Sequence, residues 1–349
     1  NVLASCRFND IIEDIKAAGF SSNDTYVAPN QYEIAIKNLR QGLNDKGYIK
    51  SCVKQYRKLI EKYGAEKMQD VYDLLSDRYL LEEHTATKEA ILDTYDVLKP
   101  YFEEFYANKP KKRYVDFNQG IDSRLINDEN MEKLAEIPIR PVRIAFDHWS
   151  LREKYEEAVR TAVRHGHTSL SNYILYNFND EPIELYRRLK LNVDLCEELG
   201  ASIYSFPMKY HPIEDPDYFS NRDYIGEHWN RKFIRTIQAI LNSTKGKVGK
   251  GHDFFCKAFG ANEEEFFKLL YMPEAMIIYR FYFEELGMTD RWWHDFTSLT
   301  PEEEQQIKPI IERNVFTNID EMDLLPAVRK VLEYYRITRD DAERWMKER

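Results

Sequence analysis

Residues 142–146 read Val-Arg-Ile-Ala-Phe, and the run that follows them decides the fold. A helix-patterned stretch over Leu151–Arg164 comes next, then an apolar run over Leu170–Phe178, a helix opened by proline over Pro182–Leu199, and a further strand run at Ser202–Phe206. In the first of these helices Tyr155, Ala158, Val159 and Ala162 fall on one face, the spacing of an amphipathic helix with one side against a core. Upstream, Tyr114-Val115-Asp116-Phe117 reads as a strand and Asn127–Glu136 as a helix. Strand and helix alternating at this pitch predict parallel βα units, hence an α/β fold built as a partial parallel (β/α) barrel.

The flanks differ in composition. Residues 1–20 predict a loop and then a helix carrying Phe8, Ile11, Ile12 and Ile15 and ended by Gly19; with 111–212 they make up the barrel part. Residues 21–110 predict a large, highly charged helical insertion with one short strand, Thr25-Tyr26-Val27-Ala28. Within it, the helical period over Lys88–Tyr106 is interrupted by Pro100, which lacks an amide proton and crowds the preceding turn. Lys109-Pro110-Lys111-Lys112 reads as a connector. Residues 213–349 return to helices, an all-α C-terminal extension punctuated by Gly246, Gly249, Gly251, Gly260 and Gly287.

Of the 349 residues, 43% are hydrophobic and 32% charged, which is enough apolar material for a packed core and excludes a disordered polymer. No run approaches the roughly eighteen consecutive apolar residues of a membrane-spanning helix, and no basic-then-apolar leader follows Asn1. The start at Asn1 reads as a truncation. Cys6, Cys52, Cys196 and Cys256 are too sparse for a secreted disulfide scaffold, so a cytoplasmic location is expected. Their scatter also excludes a CxxC zinc knuckle and a CxxxCxxC iron–sulfur loop within these residues. A net charge of −10 disfavours a large nucleic-acid surface.

In a parallel α/β barrel, ligands collect at the carboxyl ends of the strands, because the loops that follow all open on one face. Four such places are rich in polar and aromatic groups: Asn118–Arg124, Asp147-His148-Trp149, Asn177–Glu181 and Pro207–Pro212. The opposite ends, Ile139-Arg140-Pro141 and Leu199-Gly200-Ala201, are plain.

The run FNQGIDSRLINDENMEKLAEI from Phe117, then VRIAFDHW from Val142, NYILYNFNDEPIELYRRL from Asn172 and IYSFPMKYHPI from Ile203, closely resembles the later barrel strands of radical S-adenosylmethionine (radical SAM) enzymes. The opening NVLASCRFNDIIEDIKAAGF is similar to the segment after that family's third strand. The resemblance covers roughly residues 1–20 and 113–212. It implies that the chain is the C-terminal part of such a barrel, with strands one to three and the cluster-binding CxxxCxxC upstream of Asn1. Two cofactors follow from it: a four-iron cluster, with its ligands upstream, and S-adenosylmethionine, cleaved reductively to an adenosyl radical that abstracts hydrogen from an unknown substrate. On this reading Asp122 meets ribose hydroxyls and Arg124 a carboxylate, Gly120 lets the backbone approach closely, and Asp147 and Asn177 hydrogen-bond cofactor or substrate. The plainer alternative is that Asp122 and Arg124 form a loop salt bridge and that Asp147 or Asp180 caps a helix. A different function class also stands: a cluster-less barrel relic whose helical tail binds a protein.

Other features read as structural. His165-Gly166-His167 suggests a metal pair, but it lies at the amino-terminal side of a strand, where histidine and glycine ordinarily end a helix. Lys245–His252 is basic and glycine-rich but lacks the spacing of a phosphate-binding loop; it reads as a solvated loop. Trp292-Trp293-His294 reads as core packing.

Overall fold

The computed structural model describes residues 1–21, 24–64, 66–107, 110–217 and 223–348. The chain divides into two compact units, Asn1–Ser22 with Tyr114–Arg349, and Asn23–Arg113. Helix α1 (Phe8–Ala17) belongs to the first unit and buries Phe8 and Ile12.

The unit Asn23–Arg113 is helical. Strand β1 (Thr25–Tyr26) precedes α2 (Gln31–Arg40), α3 (Asp45–Tyr63), α4 (Gln69–Asp77), α5 (Lys88–Asp93) and α6 (Tyr95–Phe105), and β2 (Lys111–Lys112) ends the series. Asn30 opens α2 with its side-chain oxygen on the amides of Tyr32 and Glu33, satisfying donors that no helical carbonyl reaches. The core is aromatic: Tyr32 stacks on Phe102 with ring centroids 4.0 Å apart, and Ile36, Leu39, Tyr56 and Leu59 are buried around them. Two expectations are corrected here. Pro100 lies inside α6, and the helical run breaks instead at Thr94, whose hydroxyl donates back to the carbonyls of Ala90 and Ile91. Lys111–Lys112, read as connector, pairs antiparallel with Thr25–Tyr26; Lys109 of that stretch lies outside the described residues.

The other unit is built on a four-stranded parallel sheet of order β3 (Ile121–Asp122), β4 (Val142–Ala145), β5 (Ser169–Tyr176), β6 (Ser202–Lys209). The first strand departs from expectation. Tyr114–Phe117 contributes only a parallel bridge between Val115 and Ile139. The chain then turns, with the Gly120 amide on the Phe117 carbonyl, and pairing resumes as Ile121 and Asp122 meet Ile144 and Ala145. Gly120 and Asp122 therefore lie at and in the strand, not in a loop beyond it. β6 runs on to Lys209, in full register with β5 from Ser169↔Ser202 to Tyr176↔Lys209.

Helices α7 (Asp128–Leu134), α8 (Arg152–Arg164) and α9 (Pro182–Leu199) supply the connections. α9 starts on Pro182 behind a capping box of Glu181 and Glu184 and ends at Gly200, whose φ of 62° suits glycine. Alternate strand residues face these helices. Val142, Ile144 and Phe146 pack with Tyr155, Val159 and Ala162, and Phe146 stacks on Tyr155 at 4.1 Å. A buried polar seam crosses the same layer. Asn172 donates to the Tyr155 hydroxyl, that hydroxyl to Asn192, and Asn192 to Ser205, each over 2.7 Å.

Each outer strand of the sheet has a neighbouring segment. The 3-10 turn Val2–Ala4 lies against β3. At β6, Ser205 and Val248 exchange two backbone hydrogen bonds of 2.7 and 2.8 Å. The Lys245–His252 stretch is thus more than a solvated loop, for Val248 is buried and covers an edge that would otherwise invite another strand.

Nine helices of the described residues complete this unit: α10 (Arg231–Ser243), α11 (His252–Phe259), α12 (Glu263–Tyr271), α13 (Glu274–Ile278), α14 (Arg280–Glu285), α15 (Met288–Thr297), α16 (Pro301–Arg313), α17 (Pro326–Arg336) and α18 (Arg339–Glu348). No helix among the described residues is long and apolar enough to cross a membrane.

Lys232 in α10 is fully buried, donating to Thr236 and to the carbonyl of Met272. Burial pulls its ammonium down to about 7, with Glu274 opposing and Arg235 assisting. The folded chain therefore sheds this proton near neutrality, while the unfolded chain holds it up to the ordinary lysine value of 10.5. Between those limits the unfolded state binds more protons, so stability should rise with pH, by roughly 1.4 kcal/mol per pH unit. Denaturation at about pH 7.5 and about pH 9.5 should show wild type gaining about 2–3 kcal/mol on Lys232→Met. An unchanged gap between the two proteins would show that Lys232 stays charged.

Candidate functional site

Strand alternation gives the sheet a second face, turned away from α7–α9. Parallel sheets are normally apolar on both faces; this face is polar and aromatic. Arg143, between Val142 and Ile144, carries a bidentate pair with Asp116 at 2.8 Å for both contacts and donates to Ser171 over 3.1 Å. Its guanidinium also lies 5.5 Å from the ring centre of Tyr173, whose ring in turn neighbours Phe206 at 5.8 Å. Asp116 is held ionised, its carboxyl lowered by the Arg143 hydrogen bonds against the opposing effect of burial. Further along the same side of β6, Met208 is exposed.

At the carboxyl edge of this face stand Asp122 and Arg124. The Asp122 carboxylate accepts from the Arg124 amide at 2.9 Å and from its guanidinium at distances down to 2.6 Å. The hydrogen bonds from Arg124 hold the Asp122 carboxyl below the usual range. The loop salt bridge anticipated as the plainer alternative is therefore present, yet it is open to solvent, with the Arg124 side chain 64% exposed. Asp147 follows β4 by two residues and feels both of these charges. Although it is exposed to solvent, the protein mass around it desolvates the carboxyl enough to push it upward. Arg188 and Arg124 oppose that shift and Asp122 adds to it. An open carboxyl beside a carboxylate–guanidinium pair suits a ligand that presents both a cation or hydroxyl and an anion.

Gly120 and Asn177 have other duties. Gly120 has φ 76°, and a Cβ there would meet nothing nearer than the Arg143 carbonyl at 3.9 Å. The turn requires glycine; close packing does not. Asn177 is fully buried in a left-handed conformation of φ 70°. It donates to the carbonyls of Tyr210 and Tyr224 at 3.1 and 3.0 Å, and accepts from the Gly226 amide at 2.9 Å. Its amide thus joins three loop segments. Gly226 fits against it only as glycine, since a Cβ would lie 2.2 Å from the Phe178 carbonyl. Tyr210 continues the pairing of β6 through a 2.8 Å bond to the Tyr176 carbonyl, and its ring packs on Phe178 and Tyr224.

Reading strand ends alone missed Asp116, Arg143, Tyr173 and Phe206. The signal for them was an arginine between two β-branched residues in mid-strand, a pattern that marks a polar second face.

The four cysteines do not form a metal site. Cys52 and Cys196 are buried and Cys6 exposed. No group of three His, Cys, Asp or Glu side chains among the described residues could hold a metal ion. An iron–sulfur cluster therefore does not fit the residues present. His165, of the HxH pair, is instead 2.9 Å from Asp128. Comparison with protein-family models, curated proteins and solved structures returns no match for this chain.

Proposed function

We propose that this chain belongs to a radical SAM enzyme, its sheet a partial barrel of that type. On this reading Asp122, Arg124 and Asp147 receive S-adenosylmethionine at the carboxyl edge. The observation that supports it is the consecutive strand order β3-β4-β5-β6 together with the polar, aromatic second face. A singly wound sheet of neighbouring βα units has no switch point, so its ligand surface is the inner face and carboxyl rim. S-adenosylmethionine supplies, when bound and reductively cleaved, a carbon radical for hydrogen abstraction. This chain's own residues bind and orient: the Arg124 guanidinium faces a carboxylate, Asp147 an ammonium or hydroxyls, and Tyr173 and Phe206 offer ring faces.

Titration calorimetry of the folded chain with S-adenosylmethionine tests this. Arg124→Ala should weaken binding by about tenfold to over a hundredfold, the worth of one charge-assisted hydrogen bond of roughly 1.5–3 kcal/mol. Equal affinity in wild type and variant removes Arg124 from the site. A second reading, a protein-interaction module without catalysis, draws on the helical extension, where Phe281 is 72% and Phe254 54% exposed. Folded wild type without measurable affinity for S-adenosylmethionine would favour that reading.

A further inference from the structure

Arg188 has a side chain 0% exposed and sits in the second turn of α9, under the carboxyl ends of β4 and β5. Its guanidinium donates to five acceptors, on the two loop residues after β4, at the end of β5, in the loop before α9 and within α9 itself. One nitrogen reaches the carbonyls of Phe146 and Asp147 at 3.4 and 2.9 Å. The other reaches the Leu175 carbonyl at 2.9 Å and the Asp180 carboxylate at 3.1 Å. Its Nε donates to the Glu184 carbonyl of its own helix at 3.2 Å. Phe146 and Asp147 lie past the last paired residue of β4, so their carbonyls have no ladder partner, and buried carbonyls need one. Only the planar, five-donor fork of arginine spans these acceptors at once; a lysine point charge would not.

We propose that Arg188 is a positioning residue, which pins the main chain of Asp147 to the end of β5 and so presents the Asp147 carboxylate at the mouth of the sheet. Two independent observations meet in it. The guanidinium is bonded to the peptide carbonyl of Asp147 itself, and among the charges around that carboxyl Arg188 is the foremost of those that counter its desolvation. That Asp147 meets S-adenosylmethionine rests on the proposed function; that Arg188 governs Asp147 does not.

Arg188→Ala would strand the buried Asp180 carboxylate and put the fold of the sheet's rim at risk, so the test uses Arg188→Met combined with Asp180→Asn, which removes both charges while keeping volume. Asp180→Asn alone is the control, since it retains the arginine, and circular dichroism confirms the fold of each. The first readout is the carbon-13 titration of the Asp147 carboxyl, assigned with Asp147→Asn. In the double variant its midpoint should move up relative to the control, because desolvation then acts without the nearby cation. The second readout is affinity for S-adenosylmethionine, which should fall by about tenfold or more relative to the control. A double variant that is folded and less stable, yet titrates at Asp147 as the control does, would reduce Arg188 to a structural clamp and overturn the proposal. A shifted midpoint in a protein that never binds S-adenosylmethionine would sink the proposed function and leave Arg188 as the residue that governs Asp147.

Discussion

Asp180→Ala should lower the unfolding free energy by about 3–5 kcal/mol, the cost of breaking a buried ion pair from one side. The Asp180 carboxylate faces Arg188 with one oxygen and accepts the Phe178 amide with the other at 3.0 Å, while only 5% of its side chain is exposed. Burial works against charge on both partners, pushing the Asp180 carboxyl up and pulling the Arg188 guanidinium down. The pair therefore contributes little net stability while intact. Removing the carboxylate alone leaves a guanidinium with no anion in contact, surrounded by protein, and frees the Phe178 amide as well. Urea denaturation of the variant measures the loss. The contrast with Asp180→Asn combined with Arg188→Met is the informative part, since that pair should cost much less than the single alanine. If the single alanine cost under about 1 kcal/mol, water or another anion would have to reach Arg188, and the rim would be more open than its burial indicates.

Trp292→Ala should cost a similar amount, about 3–5 kcal/mol, through the cavity it leaves. Trp292 is 0% exposed and joins α15 to α17. Its ring centre is 5.5 Å from that of Trp293, 5.9 Å from Phe296 and 6.5 Å from Tyr335. Rings packed from two helices relax little around a missing indole, so the lost transfer and the residual void add. Trp293→Ala, at a half-buried neighbouring position, is the internal control and should cost clearly less. Equal losses at the two positions in denaturant titrations would mean that the helical extension can collapse around either gap.

Much of the sheet's framework could be read from residues alone, and the reasons are local. Helix α9 begins at Pro182 and stops at Leu199 as its pattern predicts, because proline at the first turn and glycine past the last are backbone constraints carried by single residues. The parallel strands at Val142, Leu170 and Ser202 follow from apolar runs between amphipathic helices. What was misread depends on distant partners. Tyr114–Phe117 alternates like a strand, but the sheet takes Ile121–Asp122 instead, a choice settled by the ladder along Ile144–Ala145. Nothing apolar marks Lys111–Lys112 as a strand; only its opposite number at Thr25–Tyr26 makes it one. Nor could the partners of Asn177 be read locally, since those at 210, 224 and 226 are all supplied by chain more than thirty residues on. Of the candidate site, Asp122, Arg124 and Asp147 came from strand ends, whereas the Arg143 face needed the period-two pattern inside β4.

The short ribbon that closes the unit Asn23–Arg113 has a further consequence. Thr25 faces Lys112 and Tyr26 faces Lys111, so the two ends of that whole helical unit are held one strand spacing apart, about 5 Å. A tight hairpin turn spans the same gap. To the polypeptide on either side, the helices between these strands are therefore interchangeable with a turn of a few residues, and lengthening or trimming them leaves the distance to be bridged the same. Such a unit works as a cassette, able to be swapped, shortened or permuted at its base with little demand on the chain that carries it.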